Sequence, residues 1–181
     1  MNIFAKKYDF SKIKGISNKQ LNLHYQLYLN YINSFNNIIE TLSNNNLSNF
    51  EFRGLQESKS YSINGIILHE LYFENLGVSN VNDINNKLFR LIEITFGSFE
   101  NWYSDFIKVA SNSRGWAVLA YNYRDQSLHN IMQDSHNTYL FWSSKPLLVL
   151  DIYEHAYMID FNINKSKYLN IFSKNIDWNI V

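Results

Sequence analysis

The sequence predicts an α+β fold, with helices first and short strands after. Three observations carry this. Apolar residues recur at three- and four-residue steps through much of the first half, as in Leu21, His24, Tyr28, Tyr31 and Phe35, the signature of one buried helix face. Short apolar runs stand at Trp116–Asn122 and Pro146–Leu150; at that length, bounded by turn residues, they read as buried strands. Between the two regimes lies the polar, turn-rich stretch Gly77–Asp83. It divides the chain into an N-terminal half, residues 1–80, and a C-terminal half, residues 81–181.

Composition bounds the function. A chain of 181 residues with 46% hydrophobic and 17% aromatic side chains can bury a substantial core. Its 16 basic and 16 acidic residues cancel, so nothing argues for nucleic acid or an anionic membrane as partner. Cysteine is absent, which excludes thiolate ligands, a cysteine nucleophile and disulfides. The apolar runs stop well short of the ~18 residues of a membrane span. Lys6-Lys7 are followed by no apolar core, so the start is not read as a secretory signal. The expectation is a cytoplasmic protein with no membrane partner.

Taken in order, residues 1–16 read as an extended arm. Ser17 is a good N-cap with Gln20 three residues on, a capping-box pattern, and a helix should run from there to the Asn44-Asn45-Asn46 break. Residues 47–59 read as loop or weak helix. A second helix is expected from about Ser60 to Leu76, giving an antiparallel hairpin with the first. Gly65 inside it costs about 1 kcal/mol against alanine, so something should approach it closely. Helices follow over Ile84–Phe96 and, capped by Ser98, Phe99–Asn112. Strands are expected at Trp116–Asn122, Ser127–Met132 and before Asp151. The remainder, Ile152 to Trp178, reads as helical with a polar break near Asn162–Ser166. Trp116 and Trp178 should pack in the core or wall a site, with Trp102 and Trp142 partly exposed.

Asp151 and His155 stand out chemically. A carboxylate at the end of a buried strand, with an imidazole one turn later, needs a partner, since neither is cheap to bury alone. A transition-metal ion is such a partner, and a carboxylate with imidazoles suits Mn, Fe or Zn better than Ca or Mg. Of the five histidines (24, 69, 129, 136 and 155), His24, His69 and His155 lie in apolar surroundings. Three imidazoles and Asp151 would make a first coordination shell. Taken singly, each is ordinarily a core histidine.

The neighbouring residues decide between these readings. Gln20-Leu-Asn-Leu-His24-Tyr25, Asn64-Gly-Ile-Ile-Leu-His69-Glu-Leu-Tyr-Phe73, Phe96-Gly-Ser-Phe-Glu-Asn101, Gly115-Trp-Ala-Val-Leu119, Asp151-Ile-Tyr-Glu-His155-Ala-Tyr157 and Asn175-Ile-Asp-Trp178 occur in that order. Together they resemble the iron/manganese superoxide dismutase family over essentially the whole chain. The resemblance implies an N-terminal helical hairpin followed by an α/β domain with a three-stranded antiparallel sheet. It implies one Fe or Mn ion per subunit, held by His24, His69, Asp151 and His155. The implied activity turns superoxide, the substrate, into dioxygen and hydrogen peroxide. It also implies a homodimer or tetramer in which Glu154 reaches the partner subunit's metal-ligating histidine. A Gln or His from the loop before the third strand would bond the solvent ligand and help set the redox potential. Gln133 and His136 compete for that role. His136 is preferred, because it lies 15 residues before Asp151, a spacing like that of family members that use a histidine.

Departures from the family pattern are specific. The gateway tyrosine usual eight residues after the first histidine is Ile32 here, and Tyr31 stands one position earlier. Seven helical steps of about 100° return to within about 20° of the His24 direction, so Tyr31 lines the site if the helix is regular where relatives carry a π-bulge. Tyr28 and Met158 replace a His and Tyr that meet across the family's dimer interface. Tyr153 replaces the signature Trp, and Asn164-Lys165 stands where relatives often carry arginines. These changes motivate an alternative reading, a weakly active or inactive metal-binding member with a structural or assembly role.

Overall fold

The computed structural model describes residues 2–43, 46–138 and 141–181. Residues 2–16 carry no helix or strand. Helix α1 (Asn18–Leu42) starts at Ser17, whose Oγ accepts the Gln20 amide proton at 3.1 Å, and buries Leu21, His24, Tyr28 and Ile32 on one face. Helix α2 (Asn49–Asn75) packs against it. The expected break at Asn44–Asn45 lies outside the described residues.

Helix α2 begins some eleven residues earlier than the apolar pattern suggests. Of residues 47–59, read as loop or weak helix, 49–59 are helical throughout. A complete capping box causes this: the Ser48 hydroxyl accepts from the Glu51 amide, and the Glu51 carboxylate accepts from the Ser48 amide at 2.9 Å. Such a box satisfies two of the helix's orphan donors at once. The exposed first turns therefore need no buried face; the buried residues begin at Ser62.

Helices α3 (Asn86–Phe96) and α4 (Phe99–Asn112) follow, capped by the side chains of Asn85 and Ser98. Gly97 takes φ +84° between them, a left-handed conformation that favours glycine. Strands β1 (Trp116–Asn122), β2 (Ser127–Gln133) and β3 (Ser144–Asp151) form an antiparallel sheet in the order β2-β1-β3. Central β1 is buried almost throughout. Its register places Trp116 opposite Gln133 on one side and Asp151 on the other, so these residues share one end of the sheet. Helix α2 is stitched to that sheet by Asn75, whose Oδ1 accepts from the Val149 amide at 2.8 Å and whose Nδ2 donates to the Leu147 carbonyl at 3.1 Å.

The last stretch is less helical than expected. A 3₁₀ turn at Glu154–Ala156 is followed by α5 (Met158–Phe161) and α6 (Lys165–Ser173). Tyr157 (φ −144°, ψ −20°) and Asn162 (φ +51°) depart from helical geometry and interrupt the spiral. Trp102 is fully buried, contrary to the expected partial exposure; its indole N–H donates to Asn130 Oδ1 at 3.1 Å, which removes the cost of burying that donor. Trp142 is 92% exposed. Trp116 and Trp178 are core residues. Among the described residues no helix is long and apolar enough to cross a membrane.

Candidate metal centre

Four side chains from four segments meet at the Trp116 end of the sheet. His24 comes from α1, His69 from α2, Asp151 from the end of β3, and His155 from the 3₁₀ turn after it. One potential ligand atom from each lies within 4.8 Å of all the others. Asp151 Oδ2 is the common point: His24 Nε2 is 2.9 Å from it, His155 Nε2 3.1 Å and His69 Nε2 3.8 Å. His24, His69 and Asp151 are fully buried, whereas the His155 side chain is 31% exposed.

The donor set fits a cation. His69 Nδ1–H donates to the Gly65 carbonyl at 2.6 Å. A carbonyl can only accept, so in the neutral ring Nε2 carries a lone pair. That lone pair is buried, has no hydrogen-bond partner and faces a carboxylate oxygen. Two electron-rich atoms facing each other in a buried space are unfavourable unless a positive charge lies between them. Donors about 2.1 Å from a common ion stand about 3–3.6 Å apart, close to the spacing found. Asp151 Oδ1 accepts from the Tyr153 amide at 2.9 Å, which leaves Oδ2 for the cluster.

Electrostatics agree with this picture. Burial lowers the pKa of His24, and that of His69 to about 3. Burial alone would raise the Asp151 carboxyl, but His155 and His24 outweigh it and hold it well below the usual carboxylate range. Burial would lower His155, but the Asp151 charge outweighs it, and its pKa is raised. Burial thus favours neutral His24 and His69 beside an ionised Asp151, the protonation states that metal binding requires, whereas at His155 Asp151 favours a proton that the ion would displace.

His136 is fully buried beside this cluster. Trp116 Nε1–H donates to its Nδ1 at 2.9 Å. An indole N–H can only donate, so the neutral ring carries its proton on Nε2, which donates to the Tyr31 hydroxyl oxygen at 2.9 Å. Burial holds His136 in that neutral form, with its pKa down at about 4. Tyr31 lies on an uninterrupted α1, its ring 5.2 Å from that of His69. An open cleft of about 930 Å³ reaches Tyr31 and Tyr61, lined by hydroxyls including Ser58, Ser62 and Ser135. Gln133 makes no contact of this kind. It is the last residue of β2, and its Oε1 is buried without a hydrogen-bond partner. Glu154 is exposed at the surface. His129 pairs instead with Asp125 at 2.8 Å, away from the cluster.

Two positioning residues escaped the sequence reading. Gln20 does not complete the box its spacing suggests. Its Nε2 donates to the His155 carbonyl, and its Oε1 accepts from the Ile159 amide at 3.1 Å, which straps the His155 turn to α1. Tyr168 donates from its hydroxyl to the Asp151 carbonyl at 2.8 Å. The Gln20 contact spans most of the chain and the Tyr168 contact joins α6 to the end of β3, and local pattern carries no signal for either.

A helical pair and a three-stranded sheet, joined at a buried site of three imidazoles and one carboxylate, define a mononuclear metalloprotein. Comparison with known proteins agrees. Residues 84–181 match the family model "Iron/manganese superoxide dismutases, C-terminal domain". The chain is 30% identical over 175 residues to "Superoxide dismutase [Mn] 1" of Halobacterium salinarum, covering 94% of this chain and 88% of that protein. It is 32% identical over 178 residues to "Superoxide dismutase [Fe]" of Aquifex aeolicus, covering 93% and 84%. It is 32% identical over 175 residues to "Superoxide dismutase [Fe]" of Cupriavidus metallidurans, covering 93% and 87%. The chain belongs to the iron/manganese superoxide dismutase family.

Proposed function

We propose that the protein is a superoxide dismutase that turns superoxide into dioxygen and hydrogen peroxide with one iron or manganese ion per subunit. The observation that carries this reading is the convergence of His24, His69 and His155 on Asp151 Oδ2 in a chain of this family. Those four residues would hold the ion, which supplies one-electron redox chemistry when bound. The relatives named above include iron and manganese proteins, and the two ions take the same donor types.

The remaining roles belong to the chain's own side chains. His136, with both ring nitrogens committed to Trp116 and Tyr31, is a rigid polar group that sets the field at the site. Tyr31 stands between it and the open cleft, positioned to orient solvent and pass protons to the reduced substrate. Trp116 and Tyr153 wall the pocket around His136, their rings each 5.7 Å from its ring, and exclude bulk water. These assignments place Tyr31 and His136 in the catalytic machinery, with Gln133 outside it.

The proposal includes a cytoplasmic homodimer. The exposed Glu154, the partly exposed His155 and the exposed apolar pair Met158 and Ile159 lie on one segment, which supports covering of this face by a second copy. Glu154 would there approach the partner subunit's His155. In each copy the ion would tie residues 1–80 to residues 81–181.

A superoxide-decay assay on purified protein loaded separately with iron and with manganese tests the activity. At least one form should accelerate the decay far above the spontaneous rate. Full metal occupancy with no acceleration in either form would favour a structural role instead.

A further inference from the structure

The oxygen of the Tyr31 hydroxyl accepts from His136 Nε2 at 2.9 Å, so its own proton must point elsewhere. Tyr61 of α2 is placed to take it. The Tyr61 ring lies against the His136 imidazole, 4.4 Å between ring centres, and 6.1 Å from the Tyr31 ring. Its phenol is within hydrogen-bonding reach of the Tyr31 and Tyr153 hydroxyls; burial, and then Tyr61, push both of those phenols up. Tyr31 and Tyr61 both line the open cleft.

The two ends of this group fix its direction. The Trp116 indole can only donate, and it donates to His136 Nδ1 at 2.9 Å. The Asp134 carbonyl can only accept, and it accepts from the Tyr153 hydroxyl at 3.3 Å. Tyr153 has thereby used its one proton, so toward Tyr61 it can only accept. Tyr61, donating there, can only accept from Tyr31. A tryptophan at position 153 could not play this part, because an indole is a donor only.

We propose that Tyr61 is a positioning residue that holds the Tyr31 proton, as the middle link of a one-way chain of hydrogen bonds from Trp116 through His136, Tyr31, Tyr61 and Tyr153 to the Asp134 carbonyl. Neighbouring bonds in such a chain strengthen one another. With one bond accepted and one given, Tyr31 has only a lone pair left to offer a ligand in the site. It can accept from a protonated ligand, but it gives nothing to an anion until its O–H swings off Tyr61. Tyr61 thus competes with an anionic ligand for the proton that Tyr31 delivers. This role in turnover rests on the dismutase reading; the chain itself consists of protein atoms and can be read without any activity.

Neutron diffraction from deuterium-exchanged crystals of the full-length metal-loaded protein locates these protons. Deuterons should lie from Tyr31 toward Tyr61, from Tyr61 toward Tyr153, and from Tyr153 toward the Asp134 carbonyl. A Tyr31 deuteron directed at cleft water or into the site, or a chain running the other way, would overturn the proposal. Azide, a small anion, tests the consequence by visible titration of the iron-loaded protein. Tyr61→Phe keeps the ring on His136 and removes the hydroxyl, so it should tighten azide roughly threefold or more. In a Tyr31→Phe background the same change should alter azide affinity less than about twofold, because no Tyr31 proton is left to release. Equal tightening in both backgrounds, or none in either, would also overturn the proposal. A parent protein without turnover, but with these proton positions and azide effects, would count against the dismutase reading alone.

Discussion

The imidazole of His136 occupies the space that a side chain at Gly65 would fill. A Cβ added at Gly65 would stand 3.2 Å from His136 Cδ2 and 3.2 Å from Tyr31 Cδ1. Glycine in a helix interior is unfavourable by about 1 kcal/mol, and here it makes room for the pair beside the metal ligands. Gly65→Ala should therefore leave global stability within about 1 kcal/mol of the parent, because better helix propensity offsets local crowding. It should lower superoxide turnover several-fold by shifting His136 and Tyr31 by a few tenths of an ångström. Thermal melting and the decay assay on the same preparation separate the two effects. Unchanged turnover would mean that the placement of His136 does not matter to the reaction.

Acid should destabilise the metal-free protein in a defined window. Burial lowers His24, holds His69 at about 3 and holds His136 at about 4, whereas an unfolded histidine titrates near about 6.5. Between about pH 6.5 and 4 the unfolded chain thus binds more protons than the folded one, and stability falls as pH falls. The other two shifts act outside this window. The depressed Asp151 contributes stability that is lost only below about pH 3.9, and the raised His155 contributes stability that is lost only above about pH 6.5. Urea midpoints of the metal-free protein should drop steadily from pH 6.5 to 4.5. In the loaded protein protons must first displace the metal, so the drop should coincide with metal release. A flat midpoint in the metal-free form would contradict the neutral, buried state of these imidazoles.

Salt should affect turnover only weakly. Lys165 does not lie free to draw anions toward the site. Its Nζ donates to the carbonyls of Ser113 at 2.9 Å and Ser111 at 3.3 Å, at the C-terminal end of α4, where a cation is favoured. The cleft at Tyr31 is lined by hydroxyls and amides, with Glu57 as the only ionic side chain among its described lining residues. Electrostatic steering depends on a field of one sign over the entrance, and that field is missing here. The rate constant for superoxide should fall less than about threefold between 10 and 200 mM salt. A steep fall measured by pulse radiolysis would show steering from charges elsewhere.

The parts of the molecule that were legible in the sequence are those set by local pattern. The apolar period gave α1, the short runs gave β1 and β3, and the Gly65 anomaly pointed to a close neighbour. Helix α1 is regular between His24 and Tyr31, and the Tyr31 ring lies 5.2 Å from that of His69. What the pattern missed lies at contacts that it does not encode. Residues 49–59 are helical because Ser48 and Glu51 cap them, although no apolar face marks them. Trp102 is buried because Asn130, distant in sequence, accepts its indole proton. Gln133 and His136 are separated by the end of a strand. Gln133 still belongs to β2 opposite Trp116, and only past the strand end does His136 come within reach of the Trp116 indole.

Metal analysis is the most direct measurement of the central claim, that four side chains hold one ion between the two halves of the chain. Protein expressed with both iron and manganese available should carry close to one ion per chain after gel filtration. Asp151→Asn and His69→Ala should each reduce that content to about a tenth or less, since losing a ligand in a closed site removes much of the affinity. Parent protein that folds and purifies with no iron or manganese, or variants that retain a full complement, would contradict the account.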